Sequence, residues 1–338
     1  MPLTRAVLLA GGLGTRLRPL TYVEPKPLAP VANRPLISYS LRMLRRGGVD
    51  EAILASGHMA DRLREALEGE REDGLVVRCV DEPEALDTAG GVKNALPEAD
   101  APFVAMNGDQ IMDVDIRALL EAHESNRADL TIVVRRVEDV SAFGLVQCDE
   151  GYRIEAFLEK RPEDPTGRNL VNSGLYVFSP SVLDAIPAGQ PYSNERELFP
   201  GLVEAGARVF AFPMLSEAYW ADVGTPAKYL DANRRILDGA LPWADAPSDP
   251  ERSSDIAPGA RVARTAEIGP GVSVGAGAVV EEGAAVANSI LWPGAIVEAG
   301  CRLANVIVGP GCRVPARTVI TCEGAAIVAD AVTETLDA

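Results

Sequence analysis

The sequence is short of histidine, of paired cysteines, of long apolar runs and of positive charge, and each shortage removes a class of function. Only His58 and His123 occur among 338 residues, which leaves imidazole-based catalysis few places to sit. The five cysteines, Cys79, Cys148, Cys301, Cys312 and Cys322, are odd in number and make no C-x-x-C pair. Reduced, mostly buried thiols are expected, rather than a disulfide framework or a zinc site. No apolar run approaches the ~18 residues of a membrane span, and the run Ala6–Ala10 is shorter than the ~7-residue minimum of a secretory h-region. The expectation is a cytoplasmic chain without membrane contact. Net charge is −17, which argues against a nucleic-acid surface, because phosphate backbones require a cationic footprint. A small anionic ligand stays open wherever basic residues gather locally.

They gather between Ala6 and Leu28, AVLLAGGLGTRLRPLTYVEPKPL. The apolar run reads as a buried strand and breaks at Gly11 and Gly12, with Gly14 following. Glycines after a strand let backbone N–H groups approach a phosphate closely. Arg16 and Arg18 add planar forks that match phosphate oxygens. Lys26 adds a mobile point charge on a loop stiffened by Pro25 and Pro27. Two better-known phosphate loops do not fit. The Walker sequence needs Lys-Ser or Lys-Thr after its glycines, and the dinucleotide fingerprint needs a glycine where Leu17 stands. Taken alone, Gly11–Gly14 is equally a tight turn after a strand.

The run GGLGTRLRPLT followed by PKPL resembles the signature of the sugar-1-phosphate nucleotidyltransferases, or NDP-sugar pyrophosphorylases. The resemblance implies that Leu9, Ala10, Gly11, Gly12, Gly14, Thr15 and Arg16 lie against a nucleoside triphosphate. It also implies that Arg16 stabilises the pyrophosphate leaving group and that Lys26 contacts the phosphates at the reacting centre, both as catalytic residues.

Further along, Asn33-Arg34-Pro35 opens a helical pattern that ends at Gly47-Gly48. Strand Glu51–Ala55, helix Met59–Leu67 and strand Leu75–Val80 follow, and the alternation predicts a doubly wound, mostly parallel α/β sheet. In such sheets ligands bind at the carboxyl ends of strands. Glu82, then Leu86 to Gly91, form a polar turn into a helix. The segment resembles the E-P-L-G-T-A-G stretch of the guanylyltransferase branch, which implies base and ribose contacts for Glu82, Thr88, Ala89 and Gly90. Asp87 stands where that pattern has glycine. Pyrimidine-specific relatives usually place a glutamine shortly before this stretch, and none occurs here before Gln110.

Phe103–Met106 is a buried-strand pattern capped by Asn107-Gly108-Asp109. Read alone, Asp109 is either a turn aspartate or a ligand for a hard cation such as Mg²⁺, and Asp113 or Asp115 is the better cap for helix Ile116–His123. Family resemblance implies that Gly108 touches nucleotide and that Asp109 binds the metal. Leu130–Val134 reads as a strand, and Phe143–Gln147 with Tyr152–Leu158 as a hairpin. Glu159-Lys160 is either a solvated strand end or, by resemblance to an E-K-P motif, a pair contacting sugar hydroxyls and sugar phosphate; Arg161 interrupts that motif before Pro162. Asn172-Ser173-Gly174, starting strand Leu175–Phe178, matches the family's sugar-reading N-x-G, and Gly144 matches a backbone contact to the sugar. A helix is expected over Glu195–Glu204 and a strand over Val209–Phe212. Tyr219 to Pro226 reads as a strand end and a Thr-capped helix with Pro at its first turn. It resembles W-x-D-x-G-T-P, whose aspartate, here Asp222, is the second metal ligand.

Composition shifts after Asp238, and residues 239–254, with prolines and acidic residues but no apolar period, read as a linker. A strict hexad then begins. Apolar residues recur at Ile256, Val262, Ile268, Val274, Val280 and Val286, slip by one at Asn288, continue at Leu291, Val297 and Leu303, slip again at Asn305, and resume at Val308, Val314 and Ile320. The period predicts a C-terminal left-handed parallel β-helix of about four coils over 255–325, with 326–338 as a tail. Residues 1–238 would be the catalytic domain, of Rossmann-like nucleotide-diphospho-sugar transferase type. The β-helix is expected to serve homo-oligomer assembly. An acyltransferase site there is disfavoured by the absence of histidine beyond His123.

The whole order resembles the guanylyltransferase branch that acts on mannose 1-phosphate. It implies GTP and mannose 1-phosphate as substrates, with Mg²⁺. The same chemistry with glucose 1-phosphate and dTTP, UTP or ATP, or with heptose 1-phosphate and GTP, stays open. So does a catalytically silent regulatory or sensor subunit, though Arg16, Lys26, Asp109, Lys160 and Asp222 are all present.

Overall fold

The structure is a computed structural model that describes residues 4–69, 74–82, 84–140, 144–158, 167–245 and 247–329. The chain divides into two compact units: Met1–Gly12 with Ser40–Trp220, and Leu13–Tyr39 with Ala221–Ala338.

In the first unit, β1 (Arg5–Leu9) lies between two parallel neighbours, β2 (Glu51–Ser56) and β4 (Phe103–Asn107), and β3 (Val76–Asp81) runs parallel to β2 at the edge. Helices α1 (Leu36–Arg46, of which the first unit takes the part from Ser40), α2 (Ala60–Gly69), α3 (Asp87–Ala95) and α4 (Ile116–Ser125) alternate with these strands along the chain. The inner strands are apolar at nearly every position because both faces are covered; Ala6, Val7, Leu8, Ile53 and Val104 have no exposed surface. Asp115 caps α4, its carboxylate accepting from the N–H groups of Arg117 and Ala118. Beyond β4 the sheet turns mixed. Strand β8 (Leu170–Phe178) is antiparallel to β4 and to β5 (Leu130–Arg136), and β9 (Val209–Pro213) runs parallel to β5. The hairpin β6 (Leu145–Cys148) and β7 (Ile154–Leu158) completes the order β7-β6-β8-β4-β1-β2-β3, with β5 paired to β8 off this path and β9 paired to β5. Phe103, Tyr176, Phe178 and Phe199 fill the centre, with the Tyr176 and Phe199 rings 5.1 Å apart.

Two expected elements differ. The helix over Glu195–Glu204 is a π-helical turn, Asn194–Leu198, followed by α5 (Phe199–Glu204). Pro200 has no N–H to return to Arg196, and its ring crowds that carbonyl, so the preceding turn widens. The strand expected from Leu175 starts at Leu170, and its pairing with β5 shifts between Asn172 and Tyr176. That bulge keeps Asn172 inside the sheet rather than ahead of it. Glu159, Lys160 and Arg161 lie outside the described residues. No cysteine is in a disulfide; Cys148, Cys301 and Cys312 are buried, Cys79 and Cys322 half-buried. Among the described residues, no helix is long and apolar enough to cross a membrane.

The second unit joins residues 13–39 to the C-terminal repeat. Helix α6 (Pro226–Leu237) starts at Thr225, whose hydroxyl accepts from the Lys228 N–H, with Pro226 in its first turn. Its buried Asn233 accepts from Ala32 N–H (2.8 Å) and the Ser273 hydroxyl (2.7 Å) and donates to Gly271 O (3.1 Å). One amide thus bonds to the N-terminal segment and the repeat together. The repeat itself is a parallel coil. Asp255 pairs with Ser273, Arg261 with Val279 and Glu267 with Ala285, eighteen positions on. The next turn is seventeen, with Ser273 opposite Ile290 and Ala285 opposite Arg302. The shortened corners hold Asn288 and Asn305 at φ of +40° and +61°, a backbone that asparagine tolerates better than most residues.

Candidate active site

In the first unit, Gly11 and Gly12, expected to face nucleotide, follow β1 at its carboxyl end. Leu9 O accepts from Gly108 N–H and Ala10 N–H donates to Ala55 O, both at 2.9 Å. Those three expected contact residues are therefore tied into the sheet ladder. The Glu82 carboxylate sits in a seat left by two glycines. A Cβ on Gly91 would stand 2.4 Å from Oε1, and one on Gly11 would stand 3.1 Å from Oε2. Burial pushes the Glu82 carboxyl above its ordinary range. At the start of α3 the N–H groups of Ala89 and Gly90 both donate to Tyr192 O, at 2.9 and 3.0 Å. Any contact these two make to a nucleotide comes through their shape, since their backbone donors are taken. Asp87 has φ of +58°, which explains a glycine in the resembling pattern. Its carboxylate accepts from Thr88 N–H (2.7 Å) and pairs with Arg196.

Asn172, expected to face the sugar, lies in the β8 bulge. Its Nδ2 donates to the Tyr176 hydroxyl and its Oδ1 accepts from Gly174 N–H, both at 2.9 Å. The Ser173 hydroxyl donates to Val133 O (2.8 Å), and Ser173 O accepts from the Trp220 indole (3.0 Å), which anchors the bulge. Gly174 has φ of +83°, and a Cβ there would meet Gln110 Oε1 at 2.6 Å. Gln110 is buried, and among the described residues its Oε1 has no hydrogen-bond partner. Gly144 lies beside Leu158 O. Asp109 is half-buried, two residues past the end of β4.

In the second unit, Gly14 turns the chain at φ of +60°. A Cβ there would meet Thr21 Cγ2 at 2.9 Å and Lys26 Cβ at 3.1 Å, so the turn closes onto the stem of the buried Lys26. The Thr21 hydroxyl donates to Gly14 O (3.0 Å) and holds it shut. Thr15 and Arg16 lie on the exposed 3₁₀ turn that follows. Arg16 and Asp222 meet at Gly224: a Cβ on that glycine would stand 2.7 Å from Arg16 Nη2 and 2.9 Å from Asp222 Oδ1. Lys228 Nζ pairs with Asp222 Oδ2 at 3.1 Å. Residues sixteen and two hundred and twenty-two, far apart in sequence, are thus brought together, with Lys228 as a second cation.

Among the described residues, no group of three or more His, Cys, Asp or Glu side chains stands together as a metal site. The two candidate donors, Asp109 and Asp222, are carboxylates with no soft donor in the set. That suits a hard divalent cation. Four polar residues escaped the reading of the sequence: Gln110, Tyr176, Glu195 and Lys228. Tyr176 follows Asn172 by four positions and looks like core; Glu195 looks like a solvated helix residue.

A family model described as nucleotidyl transferase matches residues 5–239, and one described as the GMPPB C-terminal domain matches residues 252–335. The mannose-1-phosphate guanylyltransferase of Mycobacterium tuberculosis is 37% identical over 239 residues, 70% of this chain and 66% of that protein. The mannose-1-phosphate guanylyltransferase catalytic subunit beta of Xenopus tropicalis is 38% identical over 231 residues, 67% of this chain and 62% of that protein. The match therefore spans slightly less than two thirds of these curated relatives' length. A crystal structure of HddC from Yersinia pseudotuberculosis complexed with GMP-PN superposes with a TM-score of 0.59 at 29% identity, covering 69% of this chain and 100% of that one.

Proposed function

This chain belongs to the nucleotidyl transferase family, and from that premise we propose that it joins a nucleoside triphosphate to a sugar 1-phosphate with release of pyrophosphate, GTP and mannose 1-phosphate being the pair. The observation that carries the reading is the charged cluster at Gly224, where Arg16, Asp222 and Lys228 converge. The guanine preference is supported by the names of the curated relatives and by the GMP-PN bound to the Yersinia relative. Glu82 supports it chemically. Guanine presents adjacent N–H donors at N1 and N2, and a carboxylate with two acceptor oxygens suits them; adenine presents a lone pair at N1 and is repelled.

The reaction needs no covalent nucleophile. An oxygen of the ionised sugar phosphate attacks the α-phosphorus, forming one P–O bond as the bond to the β-phosphate breaks, and pyrophosphate leaves in line. Because the attacking group is already an anion, no general base is required. Catalysis is then positioning and charge neutralisation. Arg16 neutralises the leaving pyrophosphate. Lys26, buried and held against the Gly14 turn, supports the α-phosphoryl group. Lys160 anchors the sugar phosphate, while Glu159, Asn172 and Gly144 orient the sugar. Nucleotidyltransferases of this family generally use a divalent metal; Mg²⁺ is our assignment, Asp109 and Asp222 are the residues that would hold it, and it would supply positive charge for the phosphates.

The test is a pyrophosphate-release screen crossing GTP, ATP, UTP, dTTP and CTP with mannose, glucose and heptose 1-phosphates. A dominant GTP–mannose signal is expected. A dominant signal from another pair overturns the substrate assignment and keeps the chemistry, and no release from any pair overturns both. The β-helix domain is proposed as a surface for self-association, which sedimentation of the purified chain tests; a strictly monomeric boundary would contradict it.

A further inference from the structure

Thr88, expected to face nucleotide, and Asn172, expected to face sugar, are joined by one continuous line of hydrogen bonds. The Thr88 hydroxyl donates to Glu195 Oε2 at 3.3 Å. Glu195 Oε1 accepts from the Tyr176 hydroxyl at 3.2 Å. The Tyr176 oxygen accepts from Asn172 Nδ2 at 2.9 Å, and Asn172 Oδ1 accepts from Gly174 N–H at 2.9 Å. Thr88 Oγ1 is fixed in turn by the N–H of Asn194 at 2.7 Å.

The directions of these bonds follow from chemistry. A carboxylate only accepts, so the Tyr176 hydroxyl must donate to Glu195. Its oxygen is then the acceptor facing Asn172, which places the amide nitrogen toward Tyr176 and the amide oxygen toward Gly174. With one bond on each end the amide cannot flip without breaking both. Among the described residues, one N–H and one lone pair of Asn172 remain for a ligand hydroxyl. Tyr176 is fully buried, and burial together with the Glu195 charge raises its pKa well above the ordinary value, so the proton stays on the phenol.

We infer that Tyr176 and Glu195 are positioning residues: they hold the sugar-reading amide of Asn172 in one orientation and tie it to the nucleotide segment at Thr88. The inference rests on the substrate reading given above. Each substitution therefore has a distinct signature. Tyr176→Phe keeps the ring and removes only the hydroxyl, so the sugar side alone loses its support. Glu195→Ala removes the link to both sides. Glu195→Gln still accepts from Tyr176 and can donate to Thr88, so it restores most of the relay.

The experiment is steady-state pyrophosphate release by the full chain, with GTP and sugar 1-phosphate varied separately, for wild type, Tyr176→Phe, Glu195→Ala, Glu195→Gln, Asn172→Ala and Tyr176→Phe/Asn172→Ala. Tyr176→Phe is expected to raise KM for the sugar 1-phosphate about ten-fold, with kcat and KM for GTP within about two-fold. Glu195→Ala should raise both KM values, and Glu195→Gln should recover most of that loss. The double variant should be no worse than Asn172→Ala alone, because Tyr176 acts through Asn172. An unchanged sugar KM in Tyr176→Phe, or effects that multiply in the double variant, overturns the inference while the functional reading stands. If Tyr176→Phe does not fold, equal KM values for Glu195→Ala, Glu195→Gln and wild type overturn it. Absence of turnover by wild type with every substrate pair overturns the functional reading and this inference together.

Discussion

In the coil, Val274, Leu291 and Val308 stack in register on one face, each with no exposed surface. In the mixed sheet, Asn172, Tyr176 and Glu195 also meet through space, but by hydrogen bonds between groups brought from a bulge, a core strand and a π-helical turn. The coil repeats one solution, each interior residue packing against its neighbour a turn away. The sheet holds arrangements that occur once. Substitutions in the coil should accordingly be felt as stability, and those at the charged and polar residues as rate or substrate affinity.

The largest expected effect is in the coil. Leu291→Ala deletes a fully buried side chain and should cost about 2–5 kcal/mol of stability, with kcat and KM of the folded fraction unchanged. A comparable loss of kcat at full folding would break the distinction. Arg16→Ala should do the opposite. Turnover should fall by roughly 10²–10³ while the melting temperature moves little; near-normal turnover would remove Arg16 from the mechanism.

Acid separates the two regions by a smaller margin. His123 is buried, bonded at Nδ1 to the Thr131 hydroxyl (2.9 Å) and at Nε2 to Ser179 Oγ (3.1 Å). The Ser179 hydroxyl donates to Ala128 O, so Nε2–H is the donor and Nδ1 the acceptor. Burial, partly opposed by Asp129, lowers the His123 pKa from 6.5 to about 4. Because the unfolded chain takes up this proton first, the contribution is fully present above pH 6.5. It is lost as pH falls from 6.5 through about 4, about 3 kcal/mol in all. The coil holds no histidine. His123→Gln should therefore flatten the fall in melting temperature between pH 7 and 4.5; an identical slope in wild type and variant would contradict the assignment. Smallest is Asn305→Ala, which breaks the corner ladder from Asn288 Nδ2 (2.6 Å) and to Cys322 O (2.5 Å). With the loss of both bonds and alanine placed at φ of +61°, it should cost about 2 kcal/mol and leave kinetics alone, as calorimetry and steady-state rates would show.

The same contrast explains what could be read from the chain in advance. The coil was legible because its corners repeat every six residues, and even its slips at Asn288 and Asn305 appear as breaks in the period. The strand and glycine turn around Gly11 were legible because apolar runs, glycine and clustered charge are local signals. Tyr176 and Glu195 were not, since a tyrosine in an apolar strand and a glutamate in a polar stretch carry no mark of the bond between them. The π-helical turn depends on Pro200 acting on a carbonyl four residues earlier. The joining of residues 13–39 to the coil depends on Asn233, whose three partners come from two distant stretches. Such contacts have no period and no fixed spacing.

Central to the account is direct in-line transfer, driven by placed charges and without a covalent nucleotidyl-enzyme. The most direct measurement is the stereochemical course at the α-phosphorus, with one diastereomer of GTPαS and mannose 1-phosphate as substrates. A single displacement predicts inversion of configuration in the thio-GDP-mannose product. Retention would require two displacements through a covalent intermediate and would contradict it.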